Sequence, residues 1–440
     1  MYKKLKSPLT VHLELTSACN HGCIHCYNHW RARSDIVNTY LNRDLAEHII
    51  NELAQNEVMH VILTGGEPLL NFDILTFVIC SLRSRNISFS LNTNATLLTL
   101  EKAEILKAIG LESVLISLLS ADRHIHDYLT DRQNQFDKVV RGIKNAHDAG
   151  LFVSINMVVS KVNLDQVFAT GLFIKNLGIC SFAATRATLP ANYQDRDKEL
   201  LVKEGDARII VEQLMALHDI GIEVKSLIPY PVCFLQSPEE YKLFSSKFCS
   251  AGKMSMAISA SGTVFACPHI EKSYGSLKNY FLSHIWEEMS EWRDGSLIPP
   301  SCRNCRALHI CGGGCRAATG ISRHTYDHDQ IIIKPVSDSW QPCFSDPKYI
   351  ADDIFLRINP NCRFRREENF GIVNTGGIRN LLVSSETFNL FLDLHKQHRV
   401  FTAEQLFNEA SINMEKSAYA RFMGYLSDNK AIQPCRKGGD

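Results

Sequence analysis

Fifteen cysteines are spread unevenly over 440 residues, and their grouping limits what this chain can fold into. Cys19, Cys23 and Cys26 form a CxxxCxxC triplet followed directly by Tyr27. Seven more lie between Cys249 and Cys343, and five (Cys80, Cys180, Cys233, Cys362 and Cys435) are scattered. In a reducing compartment, clustered cysteines read as metal ligands rather than disulfides. Three thiolates from one short loop can hold three irons of a 4Fe–4S cube and leave the fourth iron open, whereas electron-transfer clusters use four cysteines. A structural zinc site instead wants four closed ligands, usually in CxxC pairs. Cys80 and Cys180 sit in apolar stretches and are expected to be small core residues.

Composition excludes several classes. Hydrophobic residues make up 45%, enough for real cores, and 47 basic residues balance 47 acidic ones. That balance argues against a basic nucleic-acid binder. The opening Met1-Tyr-Lys-Lys-Leu-Lys6 has no apolar run after it, so no signal peptide is expected. No window approaches the ~20 apolar residues of a membrane span. The expectation is a cytoplasmic protein of about two to three domains, with neither nucleic acid nor membrane as partner.

From residue 8 to 228, strand-like runs alternate with amphipathic helices. Candidate strands fall at 11–15, 58–63, 87–91, 113–118, 152–159 and 182–185, and helical patterns at 42–56, 100–108, 136–149, 164–177 and 204–219. Repeated βα units predict a parallel sheet with helices outside. Six such units suggest a partial (β/α)6 barrel, with chemistry at the C-terminal ends of the strands. The triplet follows the first strand, which is such a place. From 249 to 343 the text turns to Gly, Pro and Cys, as in a metal-stapled domain, here bounded as 229–350 with its lead-in. Residues 354–440 form a third segment. In it, 363–374 and 378–383 read as strands, and 387–396 and 418–426 as helices. Thr402 to Gln405 is a capping box before another helix.

Thr64-Gly-Gly-Glu-Pro68 stands after the second strand. Two glycines there let the backbone approach a ligand, and a carboxylate beside them can accept bonds from an ammonium. With the CxxxCxxC triplet and its aromatic neighbour, this resembles the radical S-adenosylmethionine (SAM) enzymes. The resemblance implies that Cys19, Cys23 and Cys26 hold a 4Fe–4S cluster with an open iron. It places Gly65, Gly66 and Glu67 at the methionine amino group of SAM and Tyr27 beside the adenine. Ser117 and Arg141 resemble positions that contact the ribose or carboxylate. Many relatives continue the fourth strand as Ser-Leu-Asp-Gly, whereas this chain reads Ser117-Leu-Leu-Ser120. The implied chemistry is one-electron cleavage of SAM to a 5′-deoxyadenosyl radical, which takes hydrogen from an unactivated C–H bond. His21, His25 and His29 surround the triplet as pocket-lining or solvent-facing side chains.

The second cysteine set reads Cys249, then Gly262 to Cys267, then Cys302, Cys305, Cys311, Cys315 and Cys343. It resembles the SPASM domain of radical SAM enzymes that act on peptides and proteins. By that resemblance Cys302, Cys305, Cys311 and Cys343 hold one auxiliary iron–sulfur cluster, and Cys249, Cys267 and Cys315 the other. Some relatives carry an extra cysteine where this chain has Ser255, so the latter cluster has either an open iron or another ligand, for which Cys233 is a candidate. A zinc-stapled domain is the competing reading of these cysteines.

The last segment is similar to a small winged-helix domain, and 363–404 resembles the leader-recognition domains of ribosomal-peptide biosynthesis, which bind a peptide as an added strand. The whole is read as a radical SAM/SPASM oxidoreductase that modifies a ribosomally made precursor peptide by oxidative cross-linking through a carbon–carbon, ether or thioether bond. Its electron donor would be of the flavodoxin or ferredoxin kind. Rival readings are a sulfatase-maturase-like enzyme that makes formylglycine, an iron–sulfur redox sensor with a winged-helix DNA reader, and a SAM-binding scaffold without chemistry.

Overall fold

A computed structural model describes residues 4–28, 38–188, 200–245, 247–319, 329, 331–332, 336, 347, 350–351, 353–409 and 415–436. His29 and Cys343 lie outside the described residues. The chain divides into two compact units, Met1–Cys343 and Phe344–Asp440. No helix among the described residues is long and apolar enough to cross a membrane.

The first unit is built on one ten-stranded sheet. Its strands are β1 (Thr10–Glu14), β2 (His60–Thr64), β3 (Ser88–Thr93), β4 (Ser113–Ser117), β5 (Phe152–Val159), β6 (Ser181–Arg186), β7 (Glu223–Lys225), β8 (Ser255–Ile258), β9 (Thr263–Phe265) and β10 (Ser273–Ser276). They run in the order β10-β9-β8-β1-β2-β3-β4-β5-β6-β7. β1 through β7 pair in parallel, each with the next. The helices are α1 (Arg43–Gln55), α2 (Phe72–Ser84), α3 (Leu100–Ala108), α4 (Arg123–Thr130), α5 (Phe136–Asp148), α6 (Val167–Asn176), α7 (Glu204–Asp219), α8 (Pro238–Phe244), α9 (Leu282–Glu288) and α10 (Leu308–Cys311). The expected α/β architecture is present, but the sheet does not stop at six units. β7 extends one edge. At the other edge β8 joins β1 in parallel, with Ser255 opposite Thr10, and β9 and β10 follow as antiparallel strands.

Five of these helices, α2, α4, α8, α9 and α10, had no sequence expectation. In α2 the apolar residues Phe72, Ile74, Leu75, Phe77, Val78, Ile79 and Leu82 spread around the axis, so the stripe that signals a surface helix is blurred. Cys80 is exposed, a correction to its expected core position: Val78, Ile79, Ser81 and Leu82 face the core and leave Cys80 on the outer side. Cys180 is exposed too, because it precedes β6, whose buried run starts at Ser181.

Helix α9 ties the cysteine-rich segment to the start of the chain. Trp286 is fully buried and its Nε1 donates to Leu5 O (2.8 Å). Buried Glu52 of α1 accepts from Leu282 N (2.7 Å) and so caps α9.

The second unit has two antiparallel three-stranded sheets. One has the order β15-β11-β16, from β11 (Phe355–Ile358), β15 (Val400–Thr402) and β16 (Ile432–Pro434). The other is β12 (Arg363–Arg366), β13 (Gly371–Gly376) and β14 (Arg379–Val383). Helices α11 (Ser385–Lys396), α12 (Ala403–Glu409) and α13 (Lys416–Asp428) complete it. Residues 363–374, expected as one strand, are a hairpin. Glu367 N bonds Phe370 O across the turn, and the Glu367 carboxylate folds back onto buried Arg365 (2.7 Å). The capping box at α12 forms reciprocally: Thr402 N donates to Gln405 Oε1 (3.0 Å), and Gln405 N to Thr402 Oγ1 (3.1 Å). Phe388, Phe391, Phe401, Tyr419 and Met423 share the core of this unit.

Replacing a buried tryptophan by alanine typically costs ~3–5 kcal/mol. Trp286→Ala is therefore expected to lower the urea midpoint of the first unit clearly. An unchanged midpoint would contradict the anchoring role of α9.

Candidate active site

The chain leaves β1 at Glu14 and turns into the loop that carries the triplet. Short bonds shape this loop: Ala18 N donates to Thr16 Oγ1 (3.0 Å), His21 N to Cys19 Sγ (3.4 Å) and Cys26 N to Cys23 O (3.1 Å). It rests on the last turn of α4, where Gly22 N donates to Thr130 O (2.8 Å) and Ile24 N to Leu129 O (3.1 Å). Asn94, just past β3, donates to Asn20 Oδ1 (2.8 Å) from the amide that also reaches Cys19 Sγ (4.0 Å).

Gly65 and Gly66 follow β2 and press against this loop. Gly66 N donates to Thr16 O (2.6 Å) and Glu67 N to Ala18 O (2.8 Å). A Cβ on Gly66 would stand 1.9 Å from Ala18 O, and one on Gly65, at φ +144°, 2.4 Å from Thr16 O. Two backbones meet here with no room for a side chain. Glu67 is buried and accepts from Leu69 N (3.1 Å), Thr93 Oγ1 (2.6 Å) and Asn94 N (2.7 Å). Burial raises its pKa, and these three bonds oppose the rise. The carboxylate thus ties the end of β2 to the end of β3.

A cavity of about 360 Å³ opens beside these elements, within the ~300–1,000 Å³ range of small-molecule sites. Cys19, Cys23 and Cys26 line it together with Tyr27, Gly65, Gly66, Glu67 and Ser117. His21 and His25 line it as well. Arg141 does not join them; it is exposed on α5 and is not among the lining residues. Cys249, Cys267 and Cys315 line the same cavity from the cysteine-rich segment. Burial, and then the neighbouring Cys249, push the Cys315 thiol up to about 12. Burial likewise raises Cys267, with Cys249 and Cys315 adding to the rise.

Sequence reasoning missed His269. Its ring stacks on Tyr27 with centroids 4.2 Å apart and planes 7° from parallel, and its Nδ1 pairs with Thr188 Oγ1 (2.7 Å). Burial lowers it to about 4, so it stacks as the neutral imidazole. Its place two residues after Cys267 was the available signal. Arg186, at the end of β6, also reaches the cavity and holds Asp329 through a buried ion pair (2.5 Å).

A second, smaller cavity is lined by Cys302, Cys305 and Cys311, and by Cys233. Cys233 therefore stands with this set and not with Cys249, Cys267 and Cys315, whose cluster it was a candidate to complete. Burial, and then Cys311, Cys302 and Cys305, push its thiol up to about 12.

The residues present fit SAM and iron–sulfur cubes. Among the described residues no group of three or more His, Cys, Asp or Glu side chains converges on a single-ion site. The cysteines stand around cavities, and a cube, whose body separates its thiolates, suits that arrangement. Beside the triplet, Asn28 donates to Gly65 O (3.3 Å), while its buried Oδ1 has no hydrogen-bond partner and can serve a bound ligand. Cys19, Cys23 and Cys26 could hold the SAM-binding cluster, with the Gly65–Gly66 backbone beside it.

Residues 13–173 match the radical SAM superfamily and residues 249–306 the SPASM iron–sulfur cluster-binding domain. Similar curated proteins include the AdoMet-dependent heme synthase of Methanosarcina barkeri, 26% identical across 76% of this chain and 99% of that one. Mycofactocin maturase MftC of Mycolicibacterium smegmatis is 27% identical across 71% of this chain and 79% of that one. Among solved structures, Streptococcus suis SuiB bound to precursor peptide SuiA aligns with a TM-score of 0.57 at 19% identity, covering 74% of this chain and 76% of that one. Native anSMEcpe with bound AdoMet and Kp18Cys peptide aligns with a TM-score of 0.59 at 17% identity, covering 73% and 94%. Likeness at these identities is one of fold.

Overpacking costs ~1–3 kcal/mol, about five- to a hundred-and-fiftyfold in an equilibrium constant. Gly66→Ala should weaken SAM binding to the iron-loaded protein by that factor in calorimetric titration. Gly205→Ala, where nothing lies within 4 Å of the added carbon, should not. Equal affinity in the two variants would contradict the close approach at Gly66.

Proposed function

We propose that this chain, a radical SAM enzyme with a SPASM iron–sulfur domain, modifies a ribosomally made precursor peptide by oxidative cross-linking. The observation that carries the reading is the shared cavity, where Cys19, Cys23 and Cys26 meet Cys249, Cys267 and Cys315. SAM and the clusters, when bound, supply hydrogen-atom abstraction from an unactivated C–H bond and an outlet for the second electron that bond formation releases. The chain's own residues position and shield. Gly65 and Gly66 bring backbone against the SAM site, and Asn28 offers a free carbonyl oxygen there. Tyr27 and His269 close one wall as a stacked pair. The pair is half-buried and limits the access of water to that side of a reactive site.

Two further observations support a peptide substrate. SuiB and anSMEcpe, which share the fold, have been solved with peptides bound. The second unit offers a sheet with β12 and β14 at its edges, and an open edge can take a leader peptide as an added strand. Exposed Leu382 on β14 gives such a strand an apolar contact. A second reading, conversion of one Cys or Ser to formylglycine, is favoured by the anSMEcpe likeness, which covers 94% of that chain.

The test is mass spectrometry of a short peptide encoded beside the gene, co-expressed anaerobically with the protein or with Cys19→Ala. Cross-linking predicts loss of two hydrogens only with the intact triplet, and fragment ions that stay joined between two residues. An aldehyde captured by hydroxylamine would support formylglycine instead. An unchanged peptide alongside SAM cleavage would contradict both and direct attention to tetrapyrrole chemistry, since the Methanosarcina relative is named a heme synthase.

A further inference from the structure

We propose that Arg186 donates a hydrogen bond from Nε to the auxiliary cluster of Cys249, Cys267 and Cys315, and so raises the reduction potential of that cluster. The inference rests on reading those three cysteines as cluster ligands. It adds to them a residue of the parallel sheet that ligates nothing and acts through the cluster, as a positioning residue.

Arg186 is the last residue of β6, a strand buried along its whole length. It lines the shared cavity together with Cys249, Cys267 and Cys315. Only 3% of its side chain is exposed, so its charge has to be met inside the protein. Fully buried Asp329 meets it: Nη1 donates to Asp329 Oδ1 (2.8 Å) and Nη2 to Oδ2 (2.5 Å). Nη2 also donates to Pro229 O (3.3 Å). These bonds fix the plane of the guanidinium through its two terminal nitrogens. Nε is buried and has no hydrogen-bond partner among the described residues. A buried donor without an acceptor is costly, and a guanidinium held at its far end cannot turn to relieve it. The orphan N–H therefore points to an acceptor brought by a bound group.

The surroundings favour a cluster sulfur as that acceptor. Asp329 rests against the residue before Cys315: a Cβ on Gly314, at φ +76°, would stand 3.1 Å from Asp329 Oδ2. The ion pair is thus seated beside the turn that carries a ligand. Burial and then Cys249 push the Cys315 thiol up, and the Arg186 charge is the first influence to oppose them. Guanidinium and sulfur are therefore electrostatic neighbours. Hydrogen bonds to the sulfurs and local net charge set iron–sulfur potentials. A donor stabilises the reduced, more negative form and so raises the potential. Asp329 balances the charge of Arg186, which leaves the donor bond as the main influence of the pair on the cluster. A raised potential suits a cluster that serves as an outlet for electrons.

The full-length protein, reconstituted anaerobically with iron and sulfide, provides the test. Redox titration followed by electron paramagnetic resonance gives the midpoint of each cluster signal. It is run on wild type, Cys267→Ala, Arg186→Lys and a double variant, Arg186→Met with Asp329→Asn. Cys267→Ala identifies the signal in question by altering it. The double variant removes both charges together, so no ion is left buried alone and the net charge beside the cluster is unchanged. Its signal is expected at a lower midpoint than wild type, with the other signals unmoved. If the double variant loads iron poorly, Arg186→Lys keeps the charge but lacks the Nε–H, and should shift the same midpoint the same way. A wild-type midpoint in the double variant, or in Arg186→Lys where only that one loads, would overturn the proposal. So would an equal shift of every cluster signal, which a general disturbance of the fold produces. Unchanged midpoints with weakened SAM binding in calorimetric titration would also overturn it, by giving the N–H to SAM. If Cys267→Ala altered no signal, the ligand reading beneath the proposal would fall instead.

Discussion

The parallel pairing of β8 with β1 is the contact on which the rest of the first unit depends. Among the described residues, β1 is the only strand bonded both to the run β2–β7 and to the cysteine-rich segment. Met254 O accepts from both Leu9 N (2.8 Å) and Thr10 N (3.1 Å), so the loop from Cys249 is bonded to the start of β1. The triplet loop leaves from its other end, after Glu14. A strand rises ~3.3 Å per residue, so the two loops stand roughly 13 Å apart along the strand. One short buried strand thus sets both the separation and the relative orientation of two cysteine sets that open onto one cavity.

Around that strand the site is made mostly by backbone. The Gly65–Gly66 peptide lies against the triplet loop closely enough to exclude a Cβ, and Glu67 locks β2 to β3 at the same rim. These contacts hold the loop in place through backbone groups and the Glu67 carboxylate. The arrangement agrees with a preorganised cofactor site, in which the protein fixes position and the cofactor supplies reactivity. Stacking of His269 on Tyr27 extends the principle across the unit, since one ring follows the triplet and the other follows Cys267.

Much of this was legible in the sequence because the signals were local. Cysteine spacing, the glycine pair after a strand and the βα alternation each depend on neighbours a few residues away, and the observed strands begin within a few residues of expectation. What escaped depended on partners distant in the chain. Cys233 is nearer in sequence to Cys249, yet it faces Cys302, Cys305 and Cys311. Nothing in the spacing could report that. Arg141 matched a position by register along α5, but the helix turns it outward. Cys80 lay in an apolar run whose helical phase was hidden because the run was apolar nearly all round. In the second unit the alternation from 363 to 374 was real, but it spanned two strands. The Arg365–Glu367 pair lies where the chain turns, and a charged pair buried at a turn gives no periodic signal.

The most direct measurement is the release of 5′-deoxyadenosine from SAM by the anaerobically iron-loaded protein and dithionite, followed by chromatography and mass spectrometry, for wild type and for Cys26→Ala. Release by wild type and its absence in the variant, with the auxiliary iron retained, is the predicted result. No 5′-deoxyadenosine from fully loaded wild type, or equal amounts from both proteins, would contradict the assignment of this cavity as a radical SAM site.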